Sequence, residues 1–168
     1  MSTLYVDTLE PNLGNAVHAA GHLVQKVHAV NSTTTTFNNG NGWVTALTAS
    51  ITPKFTNSLI YITVDLHHGI RSAGEHQFGH RIYSTASSSY VALTSDNSST
   101  FDIVRKPDDS VGRGHYHSHY VGYEQLNLGS ISAITYNFQV ASPTSAYPTI
   151  YLNFSGAKSV ITVEEIAQ

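Results

Sequence analysis

The chain has 168 residues, with 8 Lys or Arg, 11 Asp or Glu and a formal net charge of −3. Its length fits one domain with its own hydrophobic core, and its sparse, slightly negative charge argues against nucleic acid or anionic lipid as a partner. The absence of cysteine excludes disulfides and zinc–thiolate sites.

The first fifteen residues, MSTLYVDTLEPNLGN, are expected to form an extended arm ahead of the domain, because Pro11 and Gly14 end the short apolar pattern at its start. This opening lacks the basic flank and apolar run of a signal peptide. No segment approaches the roughly 20 apolar residues that cross a bilayer, so we expect no membrane insertion. The predicted organisation is an arm, residues 1–15, and a β-domain, residues 16–168.

Beyond the arm, residues 15–24 fit a helical turn or a strand equally well. Apolar and polar residues then alternate with the period of two that is typical of half-buried strands. This pattern occurs in WVTALTASI (43–51), SLIYITVDL (58–66), ISAITYNFQV (131–140), PTIYLNF (148–154) and SVITV (159–163). Turn residues separate these runs. The spacing predicts an all-β domain, a jelly-roll β-sandwich of about eight to ten antiparallel strands.

Three stretches resemble small tail-fibre and minor structural virion proteins of tailed bacteriophages, especially marine and cyanobacterial ones. They are the opening STLYVDTL (2–9), the strand pair 43–51 and 58–66, and the ending SVITVEEIA (159–167). The resemblance implies a trimeric jelly-roll head of the tumour-necrosis-factor or complement-head kind, and a structural role without catalysis. It also implies that the opening docks into the virion. The docking residues would then be Leu4, Tyr5, Val6 and Leu9.

We therefore expect a virion protein that is made in the host cytoplasm, forms a homotrimer and contacts other virion proteins through its arm. The favoured role is a tail-fibre or adhesin-like component that touches a host glycan or protein. The alternative within this class is a capsid decoration or head-fibre protein of the same fold. Tyrosine supplies rigid contact area at low entropic cost, which makes Tyr116, Tyr120 and Tyr123 candidate receptor or interface contacts.

The stretch GHYHSHY (114–120) carries histidines at every second position. On a strand, His115, His117 and His119 would share one face, and the residues between them would share the other. One interpretation is a polar strand whose imidazoles pair across strands or fill an interface. A second is a transition-metal ion held between protomers, because imidazole suits iron, nickel, copper and zinc.

A third interpretation is a cupin-like metalloenzyme, whose first metal motif is His-x-His followed after three or four residues by Glu. His117, His119 and Glu124 fit that spacing. Val111 occupies the position where the motif has glycine, and no second motif follows. We favour the polar strand and expect no cofactor.

Overall fold

The computed structural model describes residues 20–37, 42–70, 74–93, 100–106, 114–141 and 150–168. The expected arm, with Leu4, Tyr5, Val6 and Leu9, lies outside these residues. The described strands are β1 (Leu23–Asn31), β2 (Thr35–Phe37), β3 (Val44–Ile51), β4 (Leu59–Ile70), β5 (Gly74–Ser84), β6 (Ser89–Leu93), β7 (Thr100–Lys106), β8 (Gly114–Gln125), β9 (Ile134–Ala141), β10 (Ile150–Leu152) and β11 (Ser159–Ile166). A short 3-10 turn, Phe154–Gly156, precedes β11.

The strands form two antiparallel sheets that pack as a sandwich. The first sheet runs β1-β11-β4-β8, and the second runs β6-β5-β9-β3. Strands β3 and β4 follow each other in the chain but lie in different sheets, as do β8 and β9, which is the jelly-roll arrangement. The expected all-β jelly-roll sandwich is confirmed. None of the described helices is long and apolar enough to span a membrane.

The described residues form eleven strands rather than the expected eight to ten, because some strands are short or interrupted. β6 and β7 pair with successive parts of β5 and so act as one interrupted strand. β10 pairs with β2 and with the end of β4. β6 also pairs with β8, which joins the two sheets at that edge.

The core lies between the sheets and is built from alternate residues of the central strands. The inward residues of β4 and β9 have relative exposures of 1% or less: Ile60, Ile62, Val64, Leu66, Ile134, Tyr136, Phe138 and Val140. Each such aliphatic or aromatic side chain contributes about 1.5–3 kcal/mol when fully buried. These residues belong to one continuous hydrophobic cluster, so the two sheets share a single core.

One charged residue is also fully buried. Glu165 of β11 has 0% exposure, and its carboxylate accepts hydrogen bonds from the backbone amides of Lys54 and Phe55. It also accepts from Ser58 Oγ at 2.5 Å and Gln25 Nε2 at 2.7 Å. A buried carboxylate is tolerated when donors surround it. Glu165 therefore fixes the connection between β3 and β4 to the first sheet.

Replacing Glu165 with Ala should destabilise the domain by about 2–4 kcal/mol, because the Ser58 hydroxyl and two backbone amides lose their acceptor in a buried site. Urea unfolding followed by circular dichroism measures the loss. The control is Glu164→Ala, which removes a partly exposed ion pair with Lys26 and should cost no more than about 1 kcal/mol. Equal losses in the two variants would contradict the assigned role of Glu165.

Candidate functional site

The position of the histidines follows from an unbroken register between β4 and β8. The two strands pair residue by residue from Leu59↔Gln125 to Ile70↔Gly114 without a bulge. His115, His117 and His119 therefore lie on the outer face of the first sheet, where all three are exposed. The residues between them point toward the second sheet.

Two residues of β4 complete a polar cluster on this outer face. Asp65 Oδ1 lies 2.7 Å from His119 Nδ1 and 3.5 Å from His117 Nε2. The rings of His67 and His117 are 4.5 Å apart. We call Asp65, His67, His117 and His119 the histidine cluster. The side chains of Asp65, His117 and His119 are about half exposed, so the ion pairs among them contribute little to stability.

His115, the third histidine of the expected set, stands apart in its contacts, since its ring lies 5.1 Å from the Phe154 ring. In the described part of the chain, no group of three or more His, Cys, Asp or Glu residues has the geometry to hold a metal ion. A metal at these histidines would therefore need ligands from a second protomer. Asp65 was not singled out from the sequence, because its pairing with His119 depends on the order of strands in the sheet.

Glu124 does not join His117 and His119. It lies on the opposite face of β8, where its Oε2 accepts hydrogen bonds from Ser84 Oγ and Tyr136 Oη, both at 2.7 Å. Burial, and then the adjacent Glu124 carboxylate, raise the pKa of the Tyr136 phenol above its usual value. The described residues therefore do not assemble the cupin-like ligand set, because the motif places its members on two faces of one strand.

The three candidate contact tyrosines of β8 also lie on two different faces of the strand. Tyr123 is 52% exposed on the outer face, next to Tyr61 of β4. Tyr120 is only 7% exposed, with its ring 4.0 Å from the His80 ring, so in this domain it packs in the interior rather than on the outer face. Tyr116 is half-buried and stacks on His68 at 5.5 Å. Even-numbered residues of β8 face the interior, so Tyr116 and Tyr120 point away from Tyr123.

His68 is a buried titratable group directly behind the histidine cluster. It is 3% exposed, and its Nε2 lies 3.0 Å from Ser118 Oγ. Burial, and then the neighbouring His67 and His117, lower the pKa of His68 to about 4. The folded protein therefore holds this imidazole neutral at pH values where an exposed histidine is partly charged.

The outer face of the second sheet carries a different set of side chains. The guanidinium of Arg81 lies 4.0 Å from the ring centre of Trp43 and 4.3 Å from that of Tyr90. Arg81 Nε donates a hydrogen bond to Gln139 Oε1 at 2.8 Å. This group could not be predicted from the sequence, because Trp43, Arg81 and Gln139 meet only through the neighbour order β3-β9-β5.

No protein-family model matches the chain, and no curated protein matches it. Among solved structures, one of infectious bursal disease virus, Gx strain, is similar to 98% of the chain at 11% identity and a TM-score of 0.31. The VP2 subviral particle of infectious bursal disease virus is similar to 96% of the chain at 10% identity and a TM-score of 0.30. The chain spans 45% and 46% of the length of these two proteins.

Because His68 is buried, we expect the free energy of unfolding of the domain to fall at acid pH. The folded-state pKa of about 4 is below the ordinary 6.5, so the unfolded chain binds more protons between these values. The stabilisation that comes from keeping His68 neutral is fully present above pH 6.5 and is lost as the pH falls toward 4. The expected loss is about 3 kcal/mol, measured as the free energy of unfolding against pH.

The matched variants are His68→Gln and His28→Gln, since His28 lies exposed on β1. Replacing His68 should flatten the pH dependence between 6.5 and 4, whereas replacing His28 should leave the slope close to that of the parent protein. A parent-like slope in the His68 variant would show that other groups cause the acid sensitivity.

Proposed function

We propose that the protein is a bacteriophage virion component, a trimeric tail-fibre or adhesin-like protein that contributes to host attachment and has no catalytic role. The jelly-roll domain would assemble through the outer face of its first sheet. The arm, residues 1–15, would dock into another virion protein. The resemblance of the opening, the strand pair 43–51 and 58–66, and the ending to phage virion proteins supports this role.

The observation that carries the proposal is the composition of that outer face. Tyr61 pairs with Tyr123, and Thr63 pairs with Val121, across β4 and β8. Their neighbours on β11 and β1 are also largely uncharged: Val30, Val160, Thr162 and Ile166. Aromatic and β-branched side chains with few charges are typical of protein interfaces.

The charged groups of this face are already paired within the chain. Lys26 Nζ lies 2.8 Å from Glu164 Oε1, and Asp65 contacts His119. A second copy could therefore cover the face without burying an isolated charge among the described residues. Val30 is 53% exposed and Tyr123 is 52% exposed, so large apolar surface is left for a neighbour to cover.

A metal ion shared between protomers is a second candidate role for the histidine cluster. It is favoured by the convergence of His117 Nε2 and His119 Nδ1 on one oxygen of Asp65. His117 and His119 of each of three copies could then enclose an ion on the axis of the assembly with six imidazoles. A fall in the melting temperature of the oligomer with chelator supports this role, and an unchanged melt rejects it.

A capsid decoration or head-fibre protein is the alternative within the structural class. It would use the same fold and the same assembly face, and it differs in where the arm docks. Electron microscopy of particles labelled on this chain distinguishes the tail from the capsid. A label on neither would reject both locations.

The trimer is tested by multi-angle light scattering at micromolar concentration, where the expected mass is three times the 18.2 kDa of one chain. Tyr123→Asp should dissociate the oligomer, because it places an unpaired charge in a covered face. Asn57→Asp adds the same charge in an exposed turn and should leave the mass unchanged. A monodisperse monomer of the parent protein would contradict the proposed assembly.

A further inference from the structure

The outer face of the second sheet carries a positioned guanidinium. The Arg81 guanidinium carbon lies 4.0 Å from the ring centre of Trp43 and 4.3 Å from that of Tyr90, and its Nε donates to Gln139 Oε1. Contacts with two aromatic rings and this hydrogen bond restrict the motion of the guanidinium before any ligand arrives. The Tyr90 hydroxyl is a further hydrogen-bond partner of the guanidinium, and the terminal N–H groups that do not point to it are left as donors. Such preorganisation lowers the entropic cost of binding.

The positive charge of Arg81 favours an anionic ligand on this face. Its described outward side chains are Trp43, Thr45, Thr48, Ser50, Arg81, Tyr83, Tyr90, Thr135, Asn137 and Gln139. Among these, Arg81 is the only charged residue, and no carboxylate of the described residues pairs with it. Guanidinium groups bind carboxylates through two parallel hydrogen bonds. The complementary partner is therefore a carboxylate carried on a larger polar molecule.

Amides and tyrosines surround the guanidinium. Asn137 Oδ1 accepts from Thr48 Oγ1 at 2.8 Å, and Gln139 Oε1 accepts from Arg81. These bonds leave both amide nitrogens as donors without an acceptor in the described part of the chain. Tyr83 and Tyr90 meet edge to face, with ring centres 5.8 Å apart. We call Trp43, Arg81, Tyr83, Tyr90, Asn137 and Gln139 the arginine platform.

We propose that the arginine platform binds an acidic saccharide, a sugar that carries a carboxylate such as a sialic or uronic acid. Arg81 holds the carboxylate, and the amides of Asn137 and Gln139 donate to ring hydroxyls. The apolar face of the sugar packs on the Tyr83 and Tyr90 edge, because aromatic rings bury C–H surface while leaving hydroxyls solvated. The biological meaning of this site rests on the proposed role in host attachment.

Binding is measured by isothermal titration calorimetry and saturation-transfer NMR, with 3′-sialyllactose and a glucuronic acid disaccharide as acidic probes and lactose as the neutral probe. At least one acidic probe should bind with an affinity about tenfold or more above that of lactose, because the charged hydrogen bonds are lost with the neutral sugar. Binding should weaken as salt is raised. Equal affinity for lactose, or no binding of either acidic probe at millimolar concentration, would overturn the proposal.

Two variants test the residue. Arg81→Gln should weaken the acidic probe about tenfold or more, and Arg81→Lys should also weaken it, since lysine keeps the charge but loses the planar pair of donors. Lys158→Gln removes an exposed charge elsewhere and should bind as the parent does. Melting temperatures verify that each variant folds. Parent-like binding by both Arg81 variants would overturn the assignment.

The outcomes separate this site from the proposed function. Binding by a chain that is monomeric in light scattering would support the saccharide site and reject the trimeric fibre. A trimer that binds neither acidic probe would reject the saccharide site alone. If Arg81→Gln changes the mass of the assembly instead of sugar binding, the platform is a contact between copies and the saccharide proposal fails.

Discussion

The register between β4 and β8 determines which residues of the domain can act together. Twelve consecutive pairs run without a bulge, so parity alone assigns each side chain to the core or to the outer face. A slip of one residue would place His117 in the core and Tyr120 in solvent. The burial of Tyr120, the exposed histidine cluster and the separation of Glu124 from the histidines all follow from this one pairing.

The two outer faces of the sandwich differ in chemistry. The first sheet presents tyrosine, histidine and β-branched residues, with its few charges paired inside the chain. The second presents hydroxyls, amides and aromatic rings around Arg81. The shared core keeps both faces rigid and on opposite sides. One face can therefore be covered by assembly while the other stays open to a ligand.

The all-β fold could be predicted from the sequence, because the alternation in 58–66 and 131–140 is typical of half-buried strands. In β8 the same period separates the histidines from Tyr116 and Tyr120, but it does not indicate which face is buried, since both sets are polar or amphipathic. The partners of Glu165 could not be predicted, since Lys54 lies 111 residues away in the chain. Arg81 and Trp43 likewise meet only through strand order, which local pattern does not encode.

The most direct test of the register is an engineered disulfide, which is unambiguous because the natural chain contains no cysteine. Thr63 and Val121 are Cα partners on the same face, so Thr63→Cys with Val121→Cys should oxidise to an intrachain bond, detected by mass spectrometry. Thr63→Cys with Tyr120→Cys places the thiols on opposite faces and should remain reduced. Oxidation of the second pair and not the first would contradict the register, and with it the assignment of both faces.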